Sequence, residues 1–243
     1  MIPIRDNVPC LIRPYILWAL MAANITTFLM ELLLAPKAKL AIFHLLGVVP
    51  ARYINPEWAI VAGYPSAGIL PFFTYMFLHS GWLHIILNLW MLWIFADNIE
   101  DAMGHVRFFA FYIICGLSAI LIQILLTPSA NAPIIGASGA VAGIMGAYFV
   151  LYPHGRVLTL IPIIIIPLFF KIPAGLFLGI WFSIQVFSGF AEHISDGAKQ
   201  IAWGAHIGGF VTGLILVRFF IKKDRCKYCY DPAKKDYELD EDF

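Results

Sequence analysis

Few residues in this chain could do chemistry, and they stand out because their surroundings are so apolar. Ser138 sits in "GASGAVAGIMGAY" (136–148), within a run that has no charged residue between Arg107 and His154. His79, His84 and Asn88 lie in "HSGWLHIILN", and His206 lies in "WGAHIGGFVTG". A serine hydroxyl within reach of an imidazole is the pairing used in nucleophilic acyl transfer, where the ring takes the hydroxyl proton as the oxygen attacks a carbonyl. Taken singly, each residue has an ordinary reading. A serine in an oily helix usually bonds the carbonyl four residues back. A histidine at the end of an apolar helix often sits in the membrane interface, and a G-x-x-x-G pair usually serves only packing. Whether the serine and histidine form a dyad depends on the elements that carry them.

Those elements are membrane helices. The 243 residues are 61% apolar and 13% charged, against roughly 45–50% and about 25% in soluble domains. The mean hydropathy is +0.83. The chain therefore reads as an integral membrane protein, and its net charge of +1 gives no hint of a nucleic-acid partner. Its four cysteines are too few and scattered for a disulfide framework. "MIPIRDNVPCLIRP" is polar and proline-punctuated, and no cleavable signal peptide is expected there.

A spanning helix needs about 20 mostly apolar residues. Six segments qualify: 15–35, 79–99, 108–127, 133–152, 173–191 and 201–221. The stretch 58–78 is broken by Gly63, Pro65, Gly68 and Pro71 and reads as a loop in the interface. "VLTLIPIIIIPLFF" (157–170) is too short to span and reads as a connector near the surface. The predicted fold is an all-α membrane protein, a six-transmembrane-helix bundle with both termini cytoplasmic. A short cytoplasmic N-terminus (1–13) precedes the membrane domain (14–221), and a polar, disordered cytoplasmic tail (222–243) follows. Basic residues set this orientation. Arg5, Arg13, Arg107, Arg156, Lys171, Arg218, Lys222, Lys223, Arg225 and Lys227 fall inside, against Lys37, Lys39, Arg52 and Lys199 outside.

With six spans, the second, fourth and sixth run in one direction, and His84, Asn88, Ser138 and His206 all fall near their outer starts. His84 and Asn88, four apart, share a helix face. Gly139 and Gly143 pair with Gly209 and Gly213 as close-approach devices, while Ser138, Ala142 and Gly146 make a small-residue face in the fourth span. Equal depth, facing small surfaces and a nucleophile matched to a base together favour a Ser138–His206 dyad. No carboxylate lies in the outer halves of these spans, which points to a dyad rather than a triad. Glu192 and Asp196 are weak candidates for a third member. His79 and His84 are five apart with no H-E-x-x-H, a poor metal pair. No metal and no cofactor is expected. Cys226 and Cys229 read as free thiols, with a shared zinc in a dimer as the lesser alternative.

"IPIRDNVP", "PARY" (50–53), "TYMFLHSGWLHIILNLWMLWIFADNIED" (74–101), "GASGAVAGIMGAY" and "AHIGGFVTG" (205–213) together resemble the rhomboid family of intramembrane serine proteases, with "IPIRDNVP" similar to the opening of many bacterial members. The resemblance implies Ser138 as nucleophile, His206 as general base, and an oxyanion site made by the Ser138 amide with His84 and Asn88. It makes His79 structural. Two departures matter. Some members carry a tyrosine stacked on the catalytic imidazole where this chain has Ala142, and some carry a Trp-Arg pair where only Arg52 stands. The orientation of His206 thus needs another partner, which the sequence leaves unnamed. The implied function is cleavage of single-pass membrane proteins near the outer face of the bilayer, in a bacterial inner (plasma) membrane. The rivals are a non-catalytic relative that binds membrane proteins for quality control, and a six-span transporter.

Overall fold

The computed structural model describes residues 1–66, 68–163, 166–194 and 201–222, with strands at Tyr228–Asp231 and Asp236–Leu239. The chain is mostly helical. Helix α1 (Tyr15–Leu32) is followed by four short helices: α2 (Pro36–Leu46), α3 (Pro50–Ile54), α4 (Pro56–Val61) and α5 (Pro71–Thr74). Each of these four opens on a proline, whose fixed φ and missing N–H suit a first helical turn. The stretch 58–78 thus folds as short helical pieces. The long helices α6 (Trp82–Met103) and α7 (His105–Leu126) are joined through Gly104 alone, which turns the chain at φ +73°. Helices α8 (Ser138–Leu151), α9 (Ala174–Ile194) and α10 (Trp203–Phe220) complete the bundle.

Among the described residues, five helices (α1, α6, α7, α9 and α10) are long and apolar enough to cross a membrane. The fourth predicted span differs. Residues 133–137 are not helical, and α8 begins at Ser138 and runs for 14 residues, about 21 Å at 1.5 Å per residue. The reason is pairing with partners far away in the sequence. Val48 and Ile134 exchange backbone hydrogen bonds of 3.0 and 2.8 Å, and Gly136 N–H donates to the Tyr75 carbonyl at 2.8 Å. Those bonds hold Ile134 and Gly136 out of the helix. His79 likewise precedes its helix rather than opening it.

The 157–170 segment, expected as a connector near the surface, is an ordered one. It forms an antiparallel hairpin, β2 (Arg156–Ile163) with β3 (Ile166–Pro173), and β1 (Ile2–Arg5) pairs on the other edge of β2. Too short for a spanning helix and rich in Ile and Leu, the segment satisfies its backbone by pairing with itself. Pro162 and Pro167, which lack N–H groups, stand opposite each other. The tail also departs from the predicted disorder, for β4 (Tyr228–Asp231) pairs with β5 (Asp236–Leu239). Cys226 lies outside the described residues, and of Cys229 only its place in β4 is described, so the thiol reading is not addressed.

The N-terminal segment is tied down by the end of α6. Asn98 Nδ2 donates to the carbonyls of Val8 (3.0 Å) and Pro9 (3.3 Å), and Leu11 N–H donates to Asp101. Glu100, fully buried, accepts from the amides of Ile16 and Leu17 at 2.9 and 2.8 Å. It thereby caps α1, whose own N-cap residue Pro14 offers no side-chain bond. Asp6 accepts from the Tyr148 hydroxyl at 2.5 Å. Burial, with Asp97 nearby, pushes the Asp6 carboxyl up to about 7. A carboxyl raised in the folded state binds its proton more tightly there than in the unfolded chain, so the stability it contributes is present at low pH and lost as pH rises towards 7. Asp6→Asn is expected to flatten the fall in thermal midpoint between about pH 4 and 7, read by melts in detergent. A wild-type midpoint that climbs over that range would contradict it.

Candidate active site

Helix α8 is the centre of the bundle, with Gly139 through Tyr148 buried throughout. It packs against α10 with almost no side chain between them. A methyl group built on Gly209 would overlap the Gly139 carbonyl, one on Gly213 would overlap that of Gly143, and one on Gly146 would overlap that of Phe210. On its other side, Gly139 and Gly143 meet Ala119 and Cys115 of α7. The face towards α10 is therefore Gly139–Gly143–Gly146. Ser138 and Ala142, predicted on that face, instead line a cavity with Val141 and Met145.

This cavity, about 1040 Å³, brings together Ser138, His206, His84 and Asn88. Leu83, Leu87 and Met91 of α6 and Trp181 and Gln185 of α9 also line it. Ser138 is the first residue of α8, and the opening amides of a helix have no intrahelical acceptor. They carry the positive end of the helix dipole, a setting that favours a negative oxygen.

The histidines are oriented by their neighbours. The backbone N–H of Ser80 lies 3.5 Å from His84 Nδ1, and the Ser80 hydroxyl lies 3.2 Å from it. Nδ1 is then the acceptor, which leaves the ring proton on Nε2. That nitrogen faces Gly136, two residues before Ser138; a Cβ on Gly136 would lie 2.5 Å from it, and Gly136 has φ +119°. Only glycine leaves room for the ring. Asn88 Nδ2 donates to the His84 carbonyl at 3.0 Å, and its second amide hydrogen remains available to the cavity. His79 is fully buried, donates its backbone N–H to Glu31, and stacks edge-on against His84 with centroids 5.0 Å apart. It does not line the cavity. Arg52 is buried and donates to the carbonyls of Pro65 and Ser66, tying the first loop together.

Two glutamines went unread in the sequence. Gln123 of α7 accepts from the Ala205 amide at 2.9 Å, capping the start of α10 directly before His206. Gln185 of α9 lies 2.9 Å from His206 Nδ1. Trp181 and Trp203 flank the same ring at 6.3 and 5.9 Å. Of the two carboxylates weighed as third members, Glu192 lies in the last turns of α9, and Asp196 lies outside the described residues. A single polar residue in an apolar run gives no spacing signal, which is why both glutamines escaped the pattern reading.

A family profile described as the Rhomboid domain matches residues 66–223, more than half of the chain. Rhomboid protein 1, mitochondrial, of Saccharomyces cerevisiae is 26% identical over 156 residues, 60% of this chain and 40% of that protein. The presenilin-associated rhomboid-like protein, mitochondrial, of Homo sapiens is 26% identical over 159 residues, 64% of this chain and 39% of that protein. Rhomboid-like protein 11, chloroplastic, of Arabidopsis thaliana is 38% identical over 73 residues, 30% of this chain and 26% of that protein. The chain spans less than half the length of these curated relatives.

Proposed function

This chain belongs to the rhomboid family, and on that premise we propose that it is an intramembrane serine endopeptidase acting on single-pass membrane proteins. It is a multi-pass integral membrane protein. The single observation that carries the activity is the shared cavity: a serine at a helix start, an imidazole held by a partner at Nδ1, and two side-chain N–H donors. In our reading a substrate strand enters sideways between α6 and α9, and Ser138 Oγ attacks its carbonyl carbon while His206 Nε2 takes the proton. The oxyanion is held by the Ser138 amide with His84 Nε2–H and Asn88 Nδ2–H, donors fixed in an apolar site where they count most. His206 then protonates the leaving amine, and water hydrolyses the acyl-enzyme. We further propose six crossings, with α8 as a short fourth, both ends cytoplasmic, and a bacterial plasma membrane as the location. The opening "IPIRDNVP" supports that location.

The test is to incubate purified protein with a fluorophosphonate and with a single-pass test substrate. Ser138 is expected to be labelled, cleavage to stop with labelling, and chelators to leave the rate unchanged. Folded protein that neither labels nor cleaves would favour the non-catalytic binding role. Orientation is tested in a cysteine-free background: a membrane-impermeant thiol reagent applied from outside should reach Leu40→Cys and spare Phe169→Cys.

The oxyanion donors carry their own prediction. Asn88→Ala is expected to lower kcat by about tenfold or more, with a smaller change in KM, because the donor acts mainly on the transition state. His84→Ala should behave alike. Turnover per acylator-titrated site separates this from a packing role: an unchanged kcat with a lowered melting temperature would remove both residues from the site.

A further inference from the structure

We propose that Gln185 is the positioning residue of His206: its side-chain oxygen accepts the Nδ1 proton, fixes the ring tautomer and leaves Nε2 bare towards Ser138. This rests on the reading of Ser138 and His206 given above and supplies the partner that the dyad lacks where Ala142 stands.

The orientation of the amide follows from its other end. Gln185 Nε2 donates to the Trp181 carbonyl at 3.3 Å, one turn back on α9. Its oxygen therefore faces His206, and at 2.9 Å the imidazole must be the donor. Once Nδ1 carries the proton, a neutral ring has only Nε2 left as a base.

The placement is unusual for a lipid-facing helix. The inward stripe of α9 runs through Ala174, Phe177, Leu178 and Gln185, while Ile184, Val186 and Phe187 are exposed. Leucine would be the ordinary choice at a position only 6% exposed. A buried glutamine is tolerated when its donor and acceptor are both engaged, and here they are. One turn further along α9, Gly189 brings the helix close to α10: a Cβ there would lie 3.0 Å from that of Trp203. That close approach lets a glutamine stem reach the imidazole.

The test compares Gln185→Met, similar in length but without the acceptor, with Gln185→Glu, which restores an acceptor oxygen on the same stem. Gln185→Met is expected to lower kcat by about tenfold to a hundredfold with KM nearly unchanged, and Gln185→Glu to recover most of it. Ring ¹⁵N shifts of His206, measured in the Ser138→Ala background, supply a readout independent of turnover. They should report a proton on Nδ1 with glutamine or glutamate, and a tautomer mixture with methionine. If the wild type proves inactive, the shifts still decide the point, so failure of the protease reading and failure of this one are distinguishable. Wild-type kcat in Gln185→Met, or a ring tautomer unmoved by the substitution, would overturn the proposal.

Discussion

Ser138→Ala and His206→Ala are each expected to abolish cleavage while the protein stays folded, and the double variant should be no slower than either single one. Nucleophile and base act as a unit, so removing the second group after the first removes nothing further. The structural cost of the serine change is small. Ser138 opens a helix between Ala137 and Gly139, and the N-cap residue Ala137 offers no side-chain bond. The histidine change is less innocent, since it strands the Gln185 oxygen in a buried site, at a cost of about 1–3 kcal/mol. His206→Asn, which keeps a side-chain N–H, is the companion variant. Thermal midpoints and gel-filtration profiles in detergent report folding, and cleavage of a single-pass substrate reports activity. Substantial turnover by folded Ser138→Ala would sink the dyad.

The other large effect is expected from a single methyl group at the contact between α8 and α10. Gly209→Ala places its Cβ on the Gly139 carbonyl. No rotamer change can relieve an overlap with backbone, so α8 and α10 must separate. Membrane helices cohere through close packing, and loss of that contact is expected to cost more than about 4 kcal/mol, the range of severe core damage. Gly179→Ala is the internal control. Its Cβ would lie 3.9 Å from Phe149, an ordinary contact, so the change should be neutral or slightly stabilising. Yield of monodisperse protein and melting temperature decide between them; a Gly209→Ala protein that melts like the control would refute the packing account.

What was legible in the sequence follows from contrast. Ser138, His84, Asn88 and His206 are polar residues at helical spacing in an oily chain, and the glycine pairs at 139/143 and 209/213 announce helix approach; the structure gathers all of them. Less legible were features whose signal depends on a distant partner. Residues 133–137 are apolar enough to be helix, but the pairing of Ile134 with Val48 keeps that segment out of one. Residues 156–173 are equally consistent with loop or strand until β1 arrives. Glu100 and Asp101 at a helix end look alike whether they meet water or bind backbone amides of the N-terminal segment and α1. Gln185 has no sequence neighbour to mark it.

The pairing of β1 with β2 has a topological consequence. Hydrogen-bonded strands must lie on the same side of a bilayer, so the number of complete crossings between residue 5 and residue 156 is even. Helices α1, α6 and α7, each long and apolar enough to cross, would account for three. Parity then asks the 14-residue α8 to make the fourth, despite its length. A second loop closes the same count: Lys222, beyond α10, donates its backbone N–H to the Ala102 carbonyl at the end of α6. The crossings between those residues must be even as well, and α7, α8, α9 and α10 make four. Taken with the five long apolar helices, both hydrogen-bonded closures are consistent with the six crossings proposed above.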